Sequence, residues 1–252
     1  MLQDRVVVVT GAGRGIGRAS AVAAGRLGAR VVACDVDGSV ADATAKAITD
    51  AGGDSLGLAL DASTPEGADR LIGSTCDWSG RVDALICAGM RRVYAPAEEM
   101  ADSDWSIMME QGLSGYFRCA QRAGRRMIEQ DGGSIVFITS IAGRLAVPGA
   151  VAYASVKAGV AGLTRQLGVE WASRGVRVNA IAPGPMLAEE ATPSGQVEAT
   201  RRTGPVREAA NPQDIAAAAI FLLSDGALNI TGQEIVIDGG MSAGRGFTLW
   251  NN

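Results

Sequence analysis

The sequence predicts a doubly wound α/β fold, a single domain with a seven-stranded parallel sheet flanked by helices, and three observations lead there. Short β-branched runs alternate along the chain with longer segments of helical period. Two of the runs, Val6-Val7-Val8-Val9 and Ile135-Val136-Phe137-Ile138, are apolar on both faces, as strands covered by helices must be. The first run passes through a glycine-rich turn directly into a helical segment.

Taken in order, strands are expected at Arg5 to Thr10, Ala29 to Asp35, Ser55 to Asp61, Arg81 to Ala88, Gly133 to Thr139, Gly175 to Ile181 and Glu234 to Asp238, with helices between them. The eight prolines sit mainly at element ends, and no Pro-rich or Gly/Ser linker divides the chain, so residues 1–252 read as one domain. At 252 residues and 47% hydrophobic composition the chain can bury a large core, which excludes disorder and a coiled coil.

Composition also excludes chemistries. There is no histidine, hence no Ser-His-Asp or Cys-His catalysis and no His-based zinc site. Cys34, Cys76, Cys87 and Cys119 form no Cys-x-x-Cys pair and read as small hydrophobes in a reducing compartment. A net charge of -4 does not favour a nucleic-acid partner. No apolar stretch approaches the roughly 20 residues of a membrane span, and the amino terminus lacks a targeting pattern. A cytoplasmic protein with no membrane partner is expected.

The first strand runs into Thr10-Gly11-Ala12-Gly13-Arg14-Gly15-Ile16-Gly17, followed by helical sequence from Arg18 to Gly28. That order of strand, turn and helix points backbone N–H groups and the positive helix end at a pyrophosphate. Asp35 closes the second strand 18 residues beyond Gly17, where a carboxylate binds both adenosine ribose hydroxyls and repels a 2′-phosphate. NAD is therefore expected over NADP, although Arg14 in the glycine turn pulls the other way. Asp61 has two readings, a cap for the next turn or a neighbour of the adenine amino group. The fourth strand ends in the small residues Ala88-Gly89, which let a flat cofactor pass close above it.

Ser140 ends the fifth strand, and Tyr153-Ala154-Ser155-Val156-Lys157 follows thirteen residues later. On a helix Tyr153 and Lys157 share a face. The ammonium is expected to lower the phenol pKa and make Tyr153 an acid or base near neutrality. Ser140 would hold the substrate oxygen, and Lys157 also the ribose of the nicotinamide half.

With these residues in view, the sequence resembles the classical short-chain dehydrogenase/reductase family over nearly its whole length. The matching segments are TGAGRGIG at 10 to 17, Asp35, Asp61, CAG at 87 to 89, Ser140, YASVK at 153 to 157, Asn179 in VNAIAPG, and Asp238-Gly239-Gly240. The resemblance implies a Rossmann-type fold with Tyr153 as catalytic acid/base, Ser140 orienting the carbonyl or alcohol, and Lys157 binding ribose hydroxyls. It places NAD against Gly11, Arg14, Gly15, Ile16 and Gly17, then Asp35, Asp61 and Ala62, then Cys87, Ala88 and Gly89. Tyr153 and Lys157 also belong to this cofactor set, as do Pro183, Gly184 and Met186 beside the nicotinamide. A metal is not expected.

Three positions depart from the family pattern. Ile86 and Cys87 stand where two asparagines are usual, and Ala188 replaces a threonine whose hydroxyl holds the nicotinamide carboxamide. Gly112, seven residues beyond Trp105, replaces an asparagine whose carbonyl supports a relay water and whose side chain holds a helix distortion. Gly112 keeps the carbonyl and permits distortion, so slowed or retuned catalysis is expected, with a rate gain in G112N if the relay is impaired.

The resemblance further implies that a segment at about 185–207 covers the substrate, a small alcohol or ketone. Its few large apolar groups, Met186, Leu187 and Val197, argue against a very greasy pocket, whereas Met90, Val147 and Pro148 are candidate apolar walls. Arg91, Arg92 and Arg144 follow strand ends and are either solvated or meet a substrate anion. Helical segments Asp102 to Glu129 and Ala152 to Trp171 are expected to pair across subunits in a homotetramer. The tail from Met241 to Asn252, with Phe247, Leu249 and Trp250, is expected at another interface. The expected reaction is hydride transfer between NAD(H) and the carbon of a secondary alcohol or ketone. An NADPH-dependent ketoreductase, or a dinucleotide-binding protein with little turnover, are the alternatives.

Overall fold

Side chains alternate along the central strands and so build two cores, one on each face of the sheet. The structure is a computed structural model and describes residues 2–186, 205–206 and 208–244. In strand β1 (Val6–Thr10), Val8 joins one core while Val7 and Val9 join the other. The same alternation places Leu85 and Cys87 of β4 (Ala84–Cys87) opposite Ala84 and Ile86, and Ile135 and Phe137 of β5 (Gly133–Ile138) opposite Val136 and Ile138.

The sheet is completed by β2 (Arg30–Asp35), β3 (Asp54–Ala59), β6 (Val176–Pro183) and β7 (Glu234–Ile237), in the order β3-β2-β1-β4-β5-β6-β7, with every pair parallel. Helices α1 (Gly15–Arg26), α2 (Gly38–Asp50) and α7 (Pro212–Leu223) cover one face. The other carries α3 (Pro65–Ser79), α4 (Asp102–Met109), α5 (Gly115–Glu129) and α6 (Val151–Glu170). This is the expected seven-stranded Rossmann-type domain. The order reverses between β1 and β4, and in such sheets the crevice beyond the carboxyl ends at that reversal binds ligands.

Strand ends differ from expectation where a side chain captures the backbone. β3 stops at Ala59, short of Asp61, because Asp61 Oδ1 accepts from the Ser63 N–H (2.9 Å) and hydroxyl (2.6 Å) and turns the chain. β4 begins at Ala84 rather than Arg81, since Asp83 Oδ2 accepts the Val6 N–H at 2.8 Å while Arg81 Nη2 lies 2.6 Å from Oδ1. β6 runs on to Pro183, where Ala182 and Pro183 pair with Val236 and Ile237.

The expected helix from Asp102 to Glu129 is three pieces. A π-helical turn, Glu110–Ser114, separates α4 from α5, and Gly112 is buried at its centre. Asn179 is fully buried and structural: its amide donates to Ile230 O at 2.7 Å and its oxygen accepts from Gln233 N at 3.0 Å, tying β6 to the approach to β7. Among the described residues no helix is long and apolar enough to cross a membrane. Leu187, Ala188, Val197, Phe247, Leu249 and Trp250 lie outside the described residues, as do most of the expected covering segment and most of the expected interface tail.

Candidate active site

The carboxyl ends of β1 and β4 meet at two glycines. Gly11 has φ +64°, and a Cβ there would overlap Gly89 Cα and lie 2.5 Å from Gly89 N, so only glycine lets the two strand ends close into one floor. α1 rises from this floor without a side-chain cap. Three other helices have one: Asp37 accepts from Ser39 N before α2, Thr64 from Gly67 N before α3, and Asn211 from Asp214 N before α7. The first-turn N–H groups of α1 are thus left for a ligand, and the residues around them line a long cleft.

At one end of that cleft stands Asp35. Its Oδ2 accepts from Gly13 N at 3.0 Å and its Oδ1 from Asp37 N at 3.2 Å, which fixes the carboxylate at the tip of β2. Asp61 and Ala62 follow along the same wall. The bonds to Ser63 give Asp61 its turn-capping role and involve one oxygen only.

At the other end are Ser140, Tyr153 and Lys157. Ser140 caps the short turn after β5, its hydroxyl oxygen accepting from Ala142 N at 3.2 Å. Tyr153 and Lys157 share a face of α6, as the spacing requires. Lys157 is fully buried; its Nζ donates to Ile138 O at 2.6 Å and stands 5.7 Å from the centroid of the Tyr153 ring.

Electrostatics in this structure differs from the sequence expectation. Burial raises the Tyr153 phenol above its usual range, while a hydrogen bond from Ser140 and the charge of Arg92 pull it partly back. Burial, helped by Arg92, lowers Lys157 to about 7. Lys157 therefore is not what sets the phenol here: desolvation acts on both groups, and an ammonium depressed that far does not hold full charge at neutrality.

The cleft brings together Gly11, Arg14, Gly15, Ile16, Gly17, Asp35, Asp61, Ala62, Ala88, Gly89, Ser140, Tyr153, Lys157, Pro183, Gly184 and Met186. Cys87 is the exception. Its side chain is wholly buried in the core, its thiol is raised by burial and by hydrogen bonding with Cys119, and any cofactor contact must come from its backbone.

Two tyrosines not singled out from the sequence belong to the site. The Tyr94 ring stands 6.0 Å from that of Tyr153, held there because Ala95 bridges Ala150 just before α6. The buried Tyr116 ring lies 5.2 Å from Lys157 Nζ, close enough for a cation–π contact. Neither has a local sequence signal, since each depends on a partner some 40 to 60 positions away. Gly112 is packed shut: a Cβ there would overlap Val156 Cγ1 and lie 2.9 Å from Met90 Cε. An asparagine at 112 would therefore require movement of Met90 and Val156.

Comparisons with known proteins agree with this geometry. A family model described as enoyl-(acyl carrier protein) reductase matches residues 11–242. The chain is 40% identical over 243 residues to a D-threitol dehydrogenase of Mycolicibacterium smegmatis, covering 95% of this chain and 93% of that protein. It is 35% identical over 242 residues to an NAD-dependent glycerol dehydrogenase of Listeria innocua, covering 95% and 94%. A crystal structure of a short-chain type dehydrogenase/reductase from Mycobacterium marinum superposes with a TM-score of 0.91 at 27% identity, over 96% of this chain and 97% of that one. With the family matched almost end to end in sequence and in fold, the chain belongs to the short-chain dehydrogenase/reductases, as an oxidoreductase of alcohols and ketones.

Proposed function

We propose that the chain is an NAD-dependent dehydrogenase/reductase of secondary alcohols and ketones with Tyr153 as general acid/base. The fixed carboxylate of Asp35 carries the cofactor reading: it is set to accept from two ribose hydroxyls and to repel a 2′-phosphate. The relative named as an NAD-dependent glycerol dehydrogenase supports the same choice. The residues fit the dinucleotide, with uncapped α1 for its pyrophosphate, the Gly11 and Gly89 floor beneath it, and Pro183, Gly184 and Met186 for the nicotinamide end.

Bound NAD(H) supplies or accepts the hydride. Tyr153 handles the proton on the substrate oxygen: the phenol, kept protonated by burial, gives its proton when a carbonyl is reduced, and the phenolate takes one when an alcohol is oxidised. Ser140 holds that oxygen, and Lys157 binds ribose hydroxyls. The test follows reduced-nicotinamide absorbance with NAD or NADP against a panel of secondary alcohols, for the parent chain and Y153F. Turnover with NAD that Y153F abolishes supports the reading. NADH binding without Tyr153-dependent turnover would replace it with a binding protein.

The same reading extends to a homotetramer and a cytoplasmic setting. Exposed Phe117 on α5 and Val169 on α6 support pairing through those helices. The four cysteines are all free, in keeping with a reducing compartment.

A further inference from the structure

Three arginines follow the ends of β4 and β5, and the fold pairs two of them. Arg144, after β5, has its Nε 2.5 Å from Glu234 Oε2, a carboxylate only 8% exposed. Arg91, after β4, lies 3.5 Å from Asp104, and its backbone N–H donates to Gln111 Oε1 at 3.1 Å. Arg92 lines the same cleft as Ser140, Tyr153 and Lys157, and forms no ion pair or side-chain hydrogen bond with any of the described residues.

The backbone on either side of Arg92 is anchored. Gln111 holds the residue before it, and two residues beyond it Tyr94 stands against Tyr153, with Ala95 N donating to Gly149 O at 2.9 Å. Arg92 is near enough to the reacting groups for its charge to act on both Tyr153 and Lys157. Apolar surface lies in the same cleft: Leu145 and Val147, which are 41% and 39% exposed, together with Met90 and Pro148.

We propose that Arg92 is a substrate-binding residue that selects secondary alcohols and ketones carrying a carboxylate on an apolar body. The proposal rests on the oxidoreductase reading above and narrows its substrate class. A guanidinium pairs with a carboxylate through two parallel N–H···O bonds, and burying apolar carbons against Leu145 and Val147 adds to that pairing. With Arg91 and Arg144 paired to Asp104 and Glu234, Arg92 is the one of these three arginines that has no ion pair among the described residues, and a single guanidinium matches a monoanion better than a phosphate dianion beside a phenol that must ionise. A bound carboxylate also offsets the repulsion between Arg92 and the Lys157 ammonium.

The test uses the full-length protein with R92Q and R92K variants, and a series of secondary hydroxy acids with the carboxylate at increasing distance from the carbinol, each beside its methyl ester. The expected result is that at least one acid exceeds its ester by about tenfold or more in kcat/KM, mostly through KM. R92Q brings the acid-to-ester ratio to near one, and R92K restores part of it. If no acid is favoured over its ester, or if R92Q leaves the ratio intact, the proposal is wrong.

Calorimetric titration of the NADH-loaded protein with the same acids separates this proposal from the reading beneath it. Carboxylate binding weakened about tenfold by R92Q, without turnover of any compound, upholds the anion site and overturns the oxidoreductase reading. Turnover of esters with no carboxylate binding does the reverse, and the absence of both overturns both.

Discussion

Lys157 donates from Nζ to the carbonyl oxygen of Ile138 at 2.6 Å, inside a site that leaves the residue 3% exposed. Its pKa falls from 10.5 to about 7. Between those values the unfolded chain carries a proton that the folded chain does not, so this group makes stability rise with pH, by up to about 1.4 kcal/mol per unit. Below about 7 both states are charged, and above 10.5 both are neutral, so the slope vanishes outside the window. Urea midpoints of the cofactor-free protein should therefore climb between about pH 7.5 and about pH 9.5 relative to those of K157M, which lacks the group. Parallel midpoints for the two proteins across that range would show that Lys157 is not depressed.

Asp35 should govern the choice of dinucleotide. In D35S both backbone bonds, to Gly13 and Asp37, and the charge that repels a 2′-phosphate are lost together. The expected outcome is a drop of about tenfold or more in kcat/KM with NAD and a higher NADP-to-NAD ratio, since like-charge repulsion at close range is worth about 1 kcal/mol or more. Kinetics with both cofactors check it, and an unchanged ratio would remove Asp35 from the cofactor site.

Gly112 should resist every side chain. Because a Cβ there overlaps Val156 Cγ1 and crowds Met90, G112N and even G112A are expected to lose about 1–3 kcal/mol to overpacking. Shortening the flexible neighbour in G112N/M90A should recover part of that loss. Thermal unfolding of the three variants tests this, and full stability in G112A would show that the π turn shifts freely.

Arg144 should matter for stability although half of its side chain is exposed. Glu234 is 8% exposed and also accepts from Thr139 Oγ1 at 2.5 Å, so R144A strands a buried carboxylate on one neutral donor. A loss of about 1–3 kcal/mol is expected, measured as the urea midpoint, with R144A/E234Q less damaged than R144A alone.

What could be read from the sequence was what is local along the chain. The turn from β1 into α1 and the pairing of Tyr153 with Lys157 follow from spacing within one or two elements. The ionisation of those same two groups did not follow, because it depends on burial beneath distant strands and on Arg92, some 60 positions earlier. The sequence leaves Arg144 either solvated or meeting a substrate anion, because its partner Glu234 is 90 residues on. For Asp61 the capping reading is carried by bonds to Ser63, two residues on, which occupy one carboxylate oxygen, while the adenine reading depends on a ligand rather than on any neighbour in the chain. Gly112 pointed to a distorted helix, but the packing of Met90 and Val156 that fills its side is a property of the assembled layers.

The reversal of strand order between β1 and β4 also imposes a sequence of events during synthesis. β2 reaches β1 after one helical crossover, whereas the bond from Val6 N to Asp83 spans 77 positions. Any amino-terminal piece that ends before Ala84 therefore leaves the four valines of β1 with one edge bare, a template for another extended chain. Until the ribosome has released β4, the valines of β1 keep that edge open, and the risk of misassembly is set by that interval.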